Sequence, residues 1–108
     1  DTANYLHCTD KNMDEMMTEL LKFIASVNNP YYKQALTALF IDNKDFAERF
    51  KMHSAAKSVH HGFIGGLLEH TLSVTKLCDF YTKQYPFLNR DLLVTAAICH
   101  DIIRFSSK

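Results

Sequence analysis

Histidine and aspartate sit side by side at His100-Asp101, thirty residues after His70. An imidazole needs partners for two ring nitrogens, and a carboxylate is costly to bury without a compensating charge. Both groups are ligands for divalent metals. His70 and His100 each fall in a stretch whose apolar residues recur at helical spacing, which predicts two histidines turned towards a helical core. Asp101, at the end of the second stretch, is placed to swing towards them. Mixed nitrogen and oxygen ligation suits Mn, Co, Fe, Ni or Zn. Three ligands leave coordination positions for water and substrate, and the chemistry is then Lewis-acid activation of a phosphoryl oxygen. The competing reading is a pair of satisfied core histidines, and spacing alone leaves the two level.

The elements that must position these residues read as helices throughout. Asn12-Met13-Asp14-Glu15 has the pattern of a capping box, and Met13, Met16, Met17, Leu20, Leu21, Ile24 and Val27 follow at helical spacing. Asn28-Asn29-Pro30 ends that run, and Pro30 suits the first turn of a second helix through Tyr31, Ala35, Leu36, Leu39 and Phe40. Asp42-Asn43 interrupts, and Phe46, Ala47, Phe50 and Met52 indicate a short third helix. Gly62, Gly65 and Gly66 mark a loop. A long helix is expected next, with Leu67, His70, Val74, Leu77, Cys78 and Tyr81 on one stripe, stopping before Pro86. Asn89 then caps a last helix whose inner face is Leu93, Ala96, Ala97 and His100. No segment alternates with period two, so the expected class is all-α.

A chain of 108 residues is one small domain. Twelve acidic against twelve basic side chains give no net charge, which argues against a domain that grips nucleic acid by itself. Three cysteines, Cys8, Cys78 and Cys99, form no CxxC pair and fit a reducing, cytoplasmic setting. Cys99 would point about 100° away from His100 on a helix, so it is not counted as a ligand. No apolar run approaches a membrane span, and no signal peptide is visible. A start at Asp1 and an end at Lys108, just past the most reactive residues, suggest a piece of something longer.

His60-His61-Gly62-Phe63-Ile64-Gly65-Gly66-Leu67-Leu68-Glu69-His70-Thr71-Leu72-Ser73-Val74, with Ala96-Ala97-Ile98-Cys99-His100-Asp101-Ile102 after it, resembles the HD superfamily of metal-dependent phosphohydrolases. Within that superfamily the chain is most similar to the YhaM-type 3′→5′ exoribonucleases of Gram-positive bacteria, over residues 12–102. The resemblance implies a compact helical HD-domain fold of about five to six helices. Residues 1–108 would be a single, partial HD domain, truncated at its C-terminus. It also implies a divalent metal ion as cofactor, held by His70, His100 and Asp101, with Asp101 at the catalytic centre. The partner is then the 3′ end of single-stranded RNA or DNA, bound with help from an N-terminal OB-fold domain. The alternatives are an HD phosphohydrolase of small nucleotides and a catalytically silent module. Apolar helix surface left by a truncation could also favour a homo-oligomer.

Members of the superfamily carry a further aspartate ligand well downstream, which this chain does not reach. Relatives also continue with Gly-Lys after the signature pair, where this chain has Ile103-Arg104 after Ile102. Arg104 keeps a positive charge that can meet phosphate, although its planar fork differs from a lysine. His61 has two readings: part of an exposed loop pair with His60, or a contact to the scissile phosphate that donates a proton to the leaving group. Glu69 is either a support for an imidazole or a solvated residue. Lys57 and Lys76 are either backbone contacts or solubilising charges. Tyr81, Tyr85 and Phe87 either stack bases or pack around the helix end at Pro86.

Overall fold

The computed structural model describes residues 12–53 and 65–102 of the chain, and over them every regular element is helical. Helix α1 spans Met13–Ser26, α2 Pro30–Thr37, α3 Lys44–Met52, α4 Gly66–Gln84 and α5 Arg90–Cys99. Four of the five open on an asparagine whose side-chain oxygen takes orphan amide donors of the first turn. Asn12 accepts from the N–H of Asp14 (2.7 Å) and of Glu15 (3.2 Å). Asn29 does the same for Tyr31 and Tyr32, Asn43 for Phe46, and Asn89 for Leu92. The expected capping box is half realised, because Glu15 contributes its backbone N–H while its residue stays exposed. Helix α4 opens differently. Gly65 sits at φ 85°, in the left-handed region that a side chain resists, and the N–H of Leu67 then reaches the carbonyl of His53 at 3.1 Å.

Between α2 and α3 the chain makes a single π turn over Ala38–Asp42, closed by the N–H of Asn43 on the carbonyl of Ala38. The wider turn ends at Asn43, which is thereby placed to cap α3. Phe40, at its centre, meets Phe46 and Phe50 edge-on, with ring centroids 5.5 and 5.1 Å away. Helix α1 adds Met16, Leu20 and Ile24, one every four residues, and Val27 just beyond its end. Leu36, Leu67, Leu68, Leu72, Val94 and Ile98 complete one buried cluster to which every helix contributes. Met13 and Met17 pack against it, as expected for filler rather than for a groove.

Three expectations about helix faces are corrected. Tyr31 and Ala35 of α2 are exposed, and only Leu36 of that helix is fully inside. In α4 the buried face is Leu67, Leu68, Thr71, Leu72, Thr75 and Thr82, whereas His70, Leu77 and Tyr81 face outwards. Threonine can be buried here because the Thr75 hydroxyl donates to the carbonyl of Thr71 and the Thr82 hydroxyl to that of Asp79, both at 2.8 Å. In α5 the inner face is Val94, Ala97 and Ile98, with Ala96 outside. No helix among the described residues is long and apolar enough to cross a membrane.

Candidate metal centre

Helices α4 and α5 form the most closely packed pair of the fold, joined by residues 85–89. Two anchors set how α5 lies. Its first-turn carboxylate, Asp91, accepts from the N–H groups of Asn28 and Asn29 at 2.7 to 3.1 Å, tying α5 to the junction of α1 and α2. Beside it, Arg90 spans from Asp79 on α4 (2.8 Å) to the Ser26 hydroxyl at the end of α1 (2.9 Å). Burial pushes the Asp79 carboxyl up, but hydrogen bonds from Arg90 and Lys83 outweigh it and hold the group below the usual carboxylate range. Both anchors lie at the turn end of the hairpin. They leave the far end of α5 to be aligned by packing of Val94 and Ile98.

That far end carries the cluster. His70 projects from the second turn of α4, His100 caps α5, and Asp101 follows at once. The Oδ2 of Asp101 lies 3.3 Å from Nε2 of His70 and 3.1 Å from Nε2 of His100, and the two rings are 5.5 Å apart. One ligand atom from each of the three falls within 4.8 Å of the others. The burial pattern reverses the sequence expectation: the histidine side chains are 50% and 38% exposed, and the aspartate is buried at 5%. The two rings are open to solvent, and the carboxylate beside them is buried.

The tautomer of His100 decides what this arrangement can hold. Its Nδ1 lies 2.6 Å from the carbonyl of Ala97, which can only accept, so Nδ1 carries the proton. In the neutral ring Nε2 is then a lone pair facing a carboxylate oxygen at 3.1 Å. That contact is favourable only with a proton or a cation between the two atoms. A backbone carbonyl on one ring nitrogen and an open Nε2 on the other is the common support for a histidine that ligates metal. Two imidazole nitrogens and one carboxylate oxygen therefore fit a divalent ion.

The structure brings His70, His100 and Asp101 together as the spacing suggested. His61 and Arg104, with His60, Lys57 and Ile103, lie outside the described residues. Cys99 is half-buried against the core and outside the cluster, and burial raises its thiol, which keeps it protonated. Glu69 is not part of the cluster either. Lys76 pairs with Glu19 at 3.3 Å. Sequence reasoning missed both anchors of α5. The signal was present in Arg90-Asp91 directly after the cap Asn89, since an acid in a first turn is expected but a base there is not.

Residues 67–108 match the family model described as the HD domain. The chain is 31% identical over 100 residues to the 3′-5′ exoribonuclease YhaM of Geobacillus sp. (strain WCH70), covering 93% of this chain and 30% of that protein. The YhaM of Listeria innocua serovar 6a is 31% identical over 100 residues, covering 93% and 31%, and that of Bacillus velezensis is 34% identical over 89 residues, covering 82% and 27%. The chain thus spans about 30% of the length of the curated relatives it matches. No solved structure matches it significantly.

Proposed function

We propose that this HD-domain chain, a relative of the YhaM proteins, is a metal-dependent phosphohydrolase unit that removes nucleotides from the 3′ end of single-stranded RNA or DNA. The observation that carries the reading is the contact of Asp101 Oδ2 with two imidazole nitrogens, one of which has its tautomer set by Ala97. His70, His100 and Asp101 would hold the ion. A divalent cation there supplies Lewis-acid polarisation of a phosphoryl oxygen and neutralises developing charge. The ligand chemistry admits Mn, Co, Fe, Ni or Zn.

The chain's own contribution is positional. Ala97 fixes the ring plane of His100, and packing of Ile98 and Val94 fixes the end of α5 from which Asp101 turns inwards. The burial of Asp101 keeps one negative charge away from bulk water, which strengthens its attraction for a cation. The half-exposed histidines leave an open side from which a phosphodiester can approach. On the substrate side we assign His61 to the scissile phosphate and leaving group, and Arg104 to a phosphate oxygen. A chain with no net charge is consistent with strand binding assisted by an upstream OB-fold domain.

Incubation with Mn²⁺ and 5′-labelled RNA, beside a panel of free nucleotides, tests the reading. The expected result is stepwise shortening from the 3′ end, abolished by EDTA and by His100→Ala. Cleavage of free nucleotides alone would move the assignment to a small-nucleotide phosphohydrolase. No metal-dependent cleavage of either would leave a non-catalytic module.

A further inference from the structure

Helix α4 carries three buried threonines, and one of them behaves unlike the others. The hydroxyls of Thr75 and Thr82 donate to carbonyls about one turn back on their own helix, and Thr18 of α1 does the same at 2.9 Å. This is the ordinary way for a helix to satisfy a threonine. Thr71 has the carbonyl of Leu67 at the equivalent place. Yet its Oγ1 has no hydrogen-bond partner among the described residues, although Thr71 is 0% exposed. A buried hydroxyl left unbonded destabilises the fold, so its persistence calls for a reason. An element packed onto the outside of these helices does not reach it. The Thr95 hydroxyl also lacks a partner, but that residue is only partly buried and stands six positions before Asp101.

The position of Thr71 supplies the reason. It follows His70 directly and, at about 100° per residue, turns inwards from it. Two ion pairs mark the margins of that inward face: His70 meets Asp101 beyond α5, and Lys76 meets Glu19 on α1. Thr71 lies between them on the side of His70, against the end of α5. The antiparallel register of the hairpin agrees. Asp79 bonds to Arg90 near the turn, and His70 meets Asp101 at the other end. Stepping back along α4 from Thr82 to Thr75 to Thr71 therefore matches stepping forward along α5 from Arg90 to Ala97 to Asp101. The steps, seven residues and then four, are the same on both helices, and all of these positions except Arg90 are buried.

We propose that Thr71 is a positioning residue of the metal centre, its hydroxyl donating to the Asp101 carboxylate and orienting it for a divalent ion. The role rests on the reading of His70, His100 and Asp101 as ligands. Carboxylates that ligate a metal are themselves held by hydrogen bonds, and a carboxylate has lone pairs for several. Asp101 is buried, so a donor in the interior serves where water does not reach. The bond is not made in the structure. Making it takes a rotation of the Asp101 side chain, which stands in the turn beyond α5 rather than in the helix. Setting the carboxylate and satisfying the hydroxyl then favour each other.

Isothermal titration with Mn²⁺ and urea unfolding without metal, on one set of variants, test this. Thr71→Val keeps the branched shape and removes the hydroxyl. It is expected to bind Mn²⁺ about 10- to 100-fold more weakly. Its urea midpoint should stay at or above the wild-type value, because an unsatisfied buried group is gone. Thr71→Ser keeps the hydroxyl and loses a buried methyl, so its midpoint should fall while its affinity stays at the wild-type level. A purely structural threonine predicts otherwise, with affinity following stability in both variants. Wild-type affinity in Thr71→Val overturns the proposal, as does a loss in Thr71→Ser equal to that in Thr71→Val. In a His70→Ala background Thr71→Val should cause the same further loss. Its disappearance there would mean that Thr71 acts through its neighbour, which also overturns the role assigned through Asp101. A wild-type chain that takes up no Mn²⁺ defeats the metal reading, and the role of Thr71 with it. Unchanged binding in Thr71→Val defeats that role alone.

Discussion

At the residue scale, the cluster is built from one buried charge and two accessible rings, and the division has a physical reason. Carboxylates are costly to bury, so a buried Asp101 implies compensation, and its Oδ2 lies within 3.3 Å of an imidazole nitrogen of both His70 and His100. Isothermal titration with Mn²⁺ should show affinity falling at least about a hundredfold in His70→Ala, His100→Ala and Asp101→Asn, beyond the 10- to 100-fold typical of supporting residues. Cys99→Ser should bind normally, because its half-buried thiol is outside the cluster. Residue types and spacing were legible in the sequence here; exposure was not. Both histidines lie in apolar stretches, and periodicity cannot say which side of a stretch faces the core when both sides carry apolar residues.

At the scale of elements, four asparagine caps set the helix starts; Asn12 and Asn89 were legible as caps in the sequence, whereas Asn29 and Asn43 read there only as breaks between helices. Their chemistry is local: an amide oxygen two or three residues before a free N–H. Which face a helix buries is a tertiary matter, and α4 shows why it was misread. Thr75 and Thr82 satisfy their hydroxyls on their own helix and pack as small branched residues, while Leu77 and Tyr81 point out. The π turn was equally invisible, since one extra residue in a turn leaves no compositional mark. The Asp79–Arg90–Ser26 bridge links three helices and gives a pH signature. Asp79 titrates lower folded than unfolded, despite the burial that opposes this. Its contribution is therefore complete above the unfolded value, near pH 4, and lost as pH falls through the folded one. Urea midpoints should show Asp79→Asn about 1–2 kcal/mol less stable at pH 7. The gap between variant and wild type should narrow as pH falls below the unfolded value and close as it passes the lower folded one.

At the scale of the whole molecule, the hairpin is held at opposite ends by different forces. Ionic anchors fix the turn end, and the His70–His100–Asp101 cluster spans the open end, from α4 to the residue beyond α5. A ligand that binds only the folded arrangement stabilises it by mass action, about 2.7 kcal/mol at a free concentration 100 times the dissociation constant. For a domain of this size, that corresponds to a rise in Tm of about 10–20 °C. Differential scanning calorimetry should show this rise with Mn²⁺ in the wild-type chain, its reversal by EDTA, and its absence in Asp101→Asn. Ile98→Val offers the complementary case. It trims the fully buried side chain three residues before Asp101, at a cost of about 0.5–1.5 kcal/mol, and should lower Tm with and without metal alike. If the metal increment shrinks in Ile98→Val as well, core packing at Ile98 also holds the end of α5 in the geometry that the ion requires.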